Sequence, residues 1–293
     1  MTGRPEVLTP GLLRQWPLPD PGSSKETRGR TLVVGGHVET PGAVLLAAEA
    51  ALRCGAGKLQ VATVADAAQH LAAAVPEGLV RGLPTTPDGD ISPDAAEQVL
   101  DLAGGCTAVL LGPGMGDVEV VAELLSRIVP HLDAAVVLDA AGLAYASSGP
   151  DVLEPVRGRC ILTPNPHELA LALDVEQDAV EGDALAHTRQ LAEATGAVVS
   201  CGGPESCIVH PDGRAWVDAS GGVGLAVSGS GDVHAGVVVG LAARGAEPEQ
   251  AAAWAAYLHG RAGDRLAAAV GPLGFLAREV AAEVPRVLAE IDV

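Results

Sequence analysis

The segment Val227-Ser-Gly-Ser-Gly-Asp-Val-His-Ala-Gly236 holds the residue types best suited to chemistry. Small residues run directly into an apolar stretch, so a helix begins near Asp232. The free N–H groups of such a start, together with the helix dipole, make an anion site. Gly229 and Gly231 let the backbone approach a phosphate closely. An aspartate there repels the anion if binding is the only task. It makes sense as a base that takes a proton from a hydroxyl attacking a phosphoryl group. It makes equal sense as an N-cap after a glycine turn, and the local pattern divides evenly between the two.

Three further segments could present polar groups or bare backbone to a ligand. Gly112-Pro-Gly-Met-Gly116 reads as a strand-to-helix turn. Leu162-Thr-Pro-Asn-Pro-His-Glu168 is a proline-stiffened loop carrying Asn165, His167 and Glu168. Asp139 ends an apolar strand, where a carboxylate serves either function or a cap. His37, His234 and His259 stand isolated, which is the ordinary pattern of structural or exposed histidines rather than metal ligands. Several common signatures fail. The glycine spacings at 112–116 and 229–234 do not fit the dinucleotide fingerprint, and Gly57-Lys58 is followed by leucine, not Ser or Thr. Hydride transfer on a GxGxxG fold and P-loop NTPase chemistry are therefore disfavoured.

The elements that must position these residues alternate between strand and helix. Apolar runs predict strands near 31–35, 58–63, 107–111, 134–138, 160–162 and 197–200. A hairpin is predicted at 206–209 and 214–217 around Pro211-Asp-Gly213. Helical spacing is found near 41–54, 65–74, 118–131, 183–194, 232–244, 248–269 and 275–290. Residues 1–30 read as an arm and loop. Such alternation means βαβ units and a mostly parallel sheet covered on both faces. No low-complexity linker divides the 293 residues, so one domain over 1–293 is expected.

Composition bounds the partners. With 37 acidic against 18 basic residues the formal charge is −19, which disfavours nucleic acid and anionic membrane surfaces. No apolar run is long enough for a transmembrane span, and the first residues lack the apolar region of a signal peptide. The five cysteines form no CxxC, so neither a disulfide framework nor a zinc site is indicated; a reducing cytoplasm is expected.

Taken in order, these segments resemble the ADP/ATP-dependent NAD(P)H-hydrate dehydratase family, whose fold is ribokinase-like: three α/β/α layers on a mostly parallel sheet. The resemblance runs from about residue 8 to 290. It is carried by Thr31-Leu-Val-Val-Gly-Gly36, Thr40-Pro-Gly-Ala43, Cys54-Gly-Ala-Gly-Lys-Leu-Gln-Val-Ala62 and Val75-Pro-Glu77. It continues through Leu111-Gly-Pro-Gly-Met-Gly116, Val137-Leu-Asp-Ala-Ala141, Leu162–Glu168, Gly229–Gly236 and Tyr257-Leu-His-Gly-Arg-Ala-Gly-Asp264.

The resemblance implies repair of the hydrated cofactors NADHX and NADPHX. ADP or ATP, with Mg²⁺, phosphorylates the hydroxyl, and phosphate then leaves. It further implies a homo-oligomer, commonly a tetramer, and an NAD(P)HX epimerase on a separate chain. Asp232 matches the catalytic base and a hydrate contact; Gly229, Ser230 and Gly231 match the anion hole. Ala43, Gly114 and Asn165 match hydrate-binding positions. Cys201, Gly202, Gly203, Pro204 and Glu205 match the nucleotide loop, joined by Gly231. No metal-ligating residue is assigned. The chain departs from the family pattern in having Cys201 for a usual lysine, His234 for a usual leucine and Ala141 for a frequent aspartate. Two other readings share the turn: a vitamin or sugar kinase that keeps its phosphorylated product, and a catalytically silent nucleotide binder.

Overall fold

The computed structural model describes residues 3–20, 22–149 and 151–291. Its strands are β1 (Glu6–Val7), β2 (Arg30–Val34), β3 (Lys58–Val64), β4 (Leu79–Leu83), β5 (Ala108–Leu111), β6 (Ala135–Leu138), β7 (Cys160–Leu162), β8 (Val198–Cys201), β9 (Ser206–Val209) and β10 (Ala215–Asp218). The helices are α1 (Pro10–Gln15), α2 (Gly42–Arg53), α3 (Ala65–Ala74), α4 (Ala96–Ala103), α5 (Val118–Ile128), α6 (Leu143–Ala146), α7 (Pro166–Leu173), α8 (Gln177–Gly182), α9 (Ala184–Thr195), α10 (Ser230–Ala243), α11 (Pro248–Ala269) and α12 (Ala277–Ile291).

All the strands join one sheet, ordered β1-β10-β9-β8-β7-β6-β5-β2-β3-β4. From β8 to β4 every neighbouring pair is parallel; β9 runs antiparallel to both β8 and β10. The central strands are apolar and buried along their length, as a sheet covered on both faces requires. Helices α2, α10 and α11 pack on the sheet with α12 against all three, while α4 to α9 form a second linked group.

The expected strands and hairpin are present, each within a residue or two of its predicted bounds. The first thirty residues differ from expectation, because β1 and α1 lie within them. Strand β1 adds to the sheet edge beside β10. Helix α1 is capped by Thr9, whose hydroxyl oxygen accepts from the Leu12 N–H. No helix among the described residues is long and apolar enough to cross a membrane.

Helix α10 sets the height of the site. It is apolar on every side and buried from Ala235 to Ala243, as befits a helix held between the sheet and other helices. Glycines let it lie directly on α2. A Cβ at Gly236 would stand 2.3 Å from the Ala47 carbonyl oxygen, and one at Gly240 would stand 2.3 Å from Cys54 Sγ. Backbone cannot yield as a flexible side chain can. Gly236→Ala is therefore expected to cost about 1–3 kcal/mol in overpacking, read as a lower midpoint in denaturant unfolding. An unchanged midpoint would show that the two helices are free to part.

Candidate active site

The candidate residues named from the sequence lie on loops and helix starts at the carboxyl ends of the parallel strands, where ligands bind in open α/β sheets. Successive contacts define the rim. The Gly36 N–H donates to the Pro113 carbonyl at 2.8 Å, and Thr40 Oγ1 donates to the Gly114 carbonyl at 2.8 Å. These bonds lay the loop after β2 on the loop after β5. Gly114 has φ of 64°, and a Cβ there would fall 2.6 Å from Ala43 Cβ. Ala43 and Gly114 are thus brought face to face. Their small size is a condition of the turn.

Asp139 follows β6 and is 4% exposed. Thr163 Oγ1, just after β7, lies 2.7 Å from its Oδ1. Ala140 beside it has φ of 48°, a left-handed conformation that a non-glycine residue adopts at a cost. Asn165 is the N-cap of α7 and forms a capping box: its Oδ1 accepts from the Glu168 N–H at 2.9 Å, and Glu168 Oε2 accepts from the Asn165 N–H at 2.8 Å. The Asn165 side chain therefore has its acceptor engaged by the helix, and its remaining polar group is the amide donor.

Gly229, with φ of 88°, is the N-cap of α10, and Ser230, Gly231 and Asp232 fill the first turn. Asp232 stands at the third helical position, so it is not the cap. A Cβ at Gly229 would meet Leu46 Cδ1 at 2.4 Å, which seats this turn against α2 one turn beyond Ala43.

Three carboxylates converge electrostatically. Burial pushes Asp232 up to about 6, and the Glu168 charge adds to the shift. Burial raises Asp139 well above the usual range, reinforced by Asp232 and then Glu168. Glu168 is raised by burial, against the hydrogen bond from Asn165 that favours its charged form. Like charges at one site cannot all ionise. Partial protonation lowers the negative charge that a polyphosphate must approach, in a chain whose overall field repels anions.

The 202–205 loop is tied to the same rim. The Gly202 N–H donates to the Pro164 carbonyl at 3.1 Å, and Gly203, Pro204 and Glu205 are exposed. Cys201 differs from its neighbours. Its thiol is fully buried at the end of β8, and burial pushes it up to about 12. Its side chain offers no charge to a nucleotide, and the loop faces solvent through the backbone and side chains after it.

Two features were beyond the reach of motif reading. One is the coupling of Asp139 and Glu168 to Asp232. The other is His259, which looks isolated in sequence yet lies 3.0 Å from Ser230 Oγ through its Nε2. Neither has a local signal, because the partners come from different strands or helices.

A mostly parallel sheet, helices on both sides and a glycine turn leading into a buried helix define the ribokinase-like class, and solved proteins of that class share the architecture. A sequence profile of the NAD(P)H-hydrate dehydratase family matches residues 31–286. The chain belongs to the NAD(P)H-hydrate dehydratase family. It is 42% identical to the ADP-dependent (S)-NAD(P)H-hydrate dehydratase of Xanthomonas campestris, over 98% of each chain. It is 34% identical to a bifunctional NAD(P)H-hydrate repair enzyme of Moorella thermoacetica, over 95% of this chain and 52% of that one. The chain thus spans about half the length of that bifunctional relative. The ADP/ATP-dependent NAD(P)H-hydrate dehydratase of Bacillus subtilis, co-crystallised with ATP and Mg²⁺, superposes with a TM-score of 0.82 at 26% identity, covering 98% of each chain.

Proposed function

We infer that this protein is an ADP-dependent (S)-NAD(P)H-hydrate dehydratase, acting as one domain on NADHX and NADPHX. The observation that carries the chemistry is Asp232, held partly buried in the first turn of α10 beside free backbone N–H groups. Hydroxide is a poor leaving group and phosphate a good one. The hydrate hydroxyl attacks the terminal phosphoryl group of the nucleotide while Asp232 accepts its proton, and the bond from that phosphorus to its bridging oxygen breaks, releasing the nucleotide one phosphoryl group shorter. In the Gly229-Ser230-Gly231 turn the Ser230 N–H is taken by the Val227 carbonyl at 3.1 Å, so the Gly229 and Gly231 N–H groups are the ones that would meet the oxygens that gain charge. The C–O bond then breaks, inorganic phosphate leaves with the bonding pair, and loss of a proton from the neighbouring ring carbon restores the ring double bond.

The Ala43–Gly114 contact and the Asn165 amide border the hydrate; the 202–205 loop and Gly231 border the nucleotide. Mg²⁺ accompanying the nucleotide would neutralise phosphate charge. Among the described residues no group of three or more His, Cys, Asp or Glu is placed to hold a metal. A nucleotide-borne Mg²⁺ needs only one or two carboxylates besides phosphate oxygens. A donor present fits that need: the capping box engages Oε2 of Glu168 and leaves Oε1. The bifunctional character of the Moorella relative supports a second repair activity, an epimerase, as pathway partner. The free state of all five cysteines supports a reducing cytoplasm. A homotetramer follows from the family resemblance, and sedimentation measures it directly.

The test is recovery of reduced-nicotinamide absorbance from hydrated NADH with Mg²⁺ and either ADP or ATP. Nucleotide-dependent recovery is the expected result. Stabilisation by nucleotide without recovery would move the assignment to a kinase for another hydroxyl or to a silent binder. The pH dependence has a defined sign. A base works deprotonated, and Asp232 loses its proton near pH 6. In the free enzyme kcat/KM should therefore rise through about pH 6 and level above it, and a limb that falls over that range would contradict the role.

A further inference from the structure

We propose that His259 is a positioning residue that holds the Ser230 hydroxyl ready to donate to the transferring phosphoryl group. The inference rests on the repair reaction assigned above. Ser230 is the first residue of α10 and is 6% exposed, so its side chain is confined. Its Oγ lies 3.0 Å from Nε2 of His259 on α11, 29 residues further along the chain. The surrounding face of α11 is otherwise apolar, with Ala255, Ala256, Leu258 and Ala262 buried. A polar ring among such residues is there for its partner.

The direction of the hydrogen bond matters. Burial lowers His259 to about 4, so the imidazole is neutral at neutral pH and carries one N–H. In the tautomer with its proton on Nε2, Ser230 Oγ accepts from the ring at 3.0 Å and its own O–H is left to donate toward the anion turn; that tautomer is part of the proposal. Without the ring, the hydroxyl has a free choice of rotamer and partner.

His234 completes the arrangement. It lies one turn after Ser230 on α10 and meets the His259 ring edge-on, with centroids 5.6 Å apart and planes at 73°. Burial, then the neighbouring His259, lower His234 to about 3, so it too stays neutral. The histidine where the family usually has leucine thus packs against the ring that orients Ser230.

The experiment compares steady-state kinetics of nucleotide-dependent recovery in the wild type, Ser230→Ala, His259→Leu, His259→Gln, His259→Asn and the Ser230→Ala/His259→Leu double variant. His259→Leu and Ser230→Ala should each lower kcat by roughly tenfold or more, with KM for the hydrate little changed. The double variant should be no slower than the slower single one, because the two residues act as one unit. Glutamine places an amide N–H near the Nε2 position and should restore most of the rate. Asparagine is equally polar but too short to reach Ser230, and should not. Where His259→Leu fails to fold, the glutamine–asparagine pair decides. Equal rates in that pair, or losses that multiply in the double variant, would overturn the proposal. An inactive wild type would instead overturn the reaction assignment.

Discussion

Asp232→Asn should lower turnover by about 10²–10⁴-fold, the range that a positioned base contributes, while nucleotide binding persists. The substitution keeps the shape and removes the proton acceptor. Calorimetric titration with ADP separates the two effects, and near-wild-type turnover in the variant would sink the assignment. The same variant should be the more stable protein at neutral pH. The folded chain holds Asp232 near pH 6, above the ordinary carboxylate value of 3.8. Ionised Asp232 therefore opposes folding, fully above about pH 6 and not at all below the ordinary value, where both states are protonated. The thermal midpoint of the variant should exceed that of the wild type at pH 7–8, and the difference should vanish near pH 3.5. A lower midpoint for the variant at pH 8 would mean that the carboxylate makes stabilising bonds.

Gly231→Ala should produce a second separation of stability from activity. Most glycines of the site answer to local geometry. Gly112, with φ of 121°, would bring a Cβ to 1.9 Å from the Asp139 carbonyl oxygen; Gly229 is left-handed and pressed against Leu46. Gly231 answers to neither constraint. It lies in the first turn of α10, its φ is not positive, and nothing lies within 4 Å of a Cβ built there. Glycine in a helix is worth about 0.5–1 kcal/mol less than alanine, so the fold alone favours alanine at this place. The open space beside Gly231 is where the resemblance puts the phosphoryl group. Gly231→Ala is expected to raise the thermal midpoint slightly and to lower kcat by about 10²-fold or more, the loss seen when a donor to developing charge is blocked. Full activity in this variant would place the transferring group elsewhere on the rim.

How far the sequence reveals this molecule depends on how local each feature is. Strands β2, β3 and β5 to β10 are short apolar runs bounded by Gly, Pro or charge, and they are legible one at a time. Strand β4 is not: Leu-Val-Arg-Gly-Leu is an edge strand, exposed at Leu79 and Arg81, with a glycine and an arginine inside it. Strand β1 has two residues and exists because β10 is there to pair with it. Helix α8 is six residues ending in glycine and owes its place to α7 and α9. At the site, the glycine turn and Asp232 stand out by small residues and spacing, whereas Ala43 entered only through the family resemblance and its contact with Gly114 only through the fold. The capping role of Asn165 follows from Asn-Pro-His-Glu, a pattern visible in the sequence that was read there as a possible ligand loop. The raised Asp139, the Glu168 coupling and the His259–Ser230 bond depend on where the chain returns after long excursions. The burial of Cys201 likewise depends on the elements that cover β8 from above.

The order in which the rim is assembled along the chain has a consequence for biosynthesis. The loops after β2 and β5, proposed above to border the hydrate, emerge early from the ribosome, whereas the glycine turn waits for α10 and its contact with α11. Domains form as units and their long-range pairings form late. A nascent or prematurely stopped chain thus lacks the anion turn and the base proposed at Asp232. On the reading proposed above, synthesis itself imposes an interlock: phosphoryl transfer awaits the last third of the polypeptide, where Gly229–Asp232 and His259 lie.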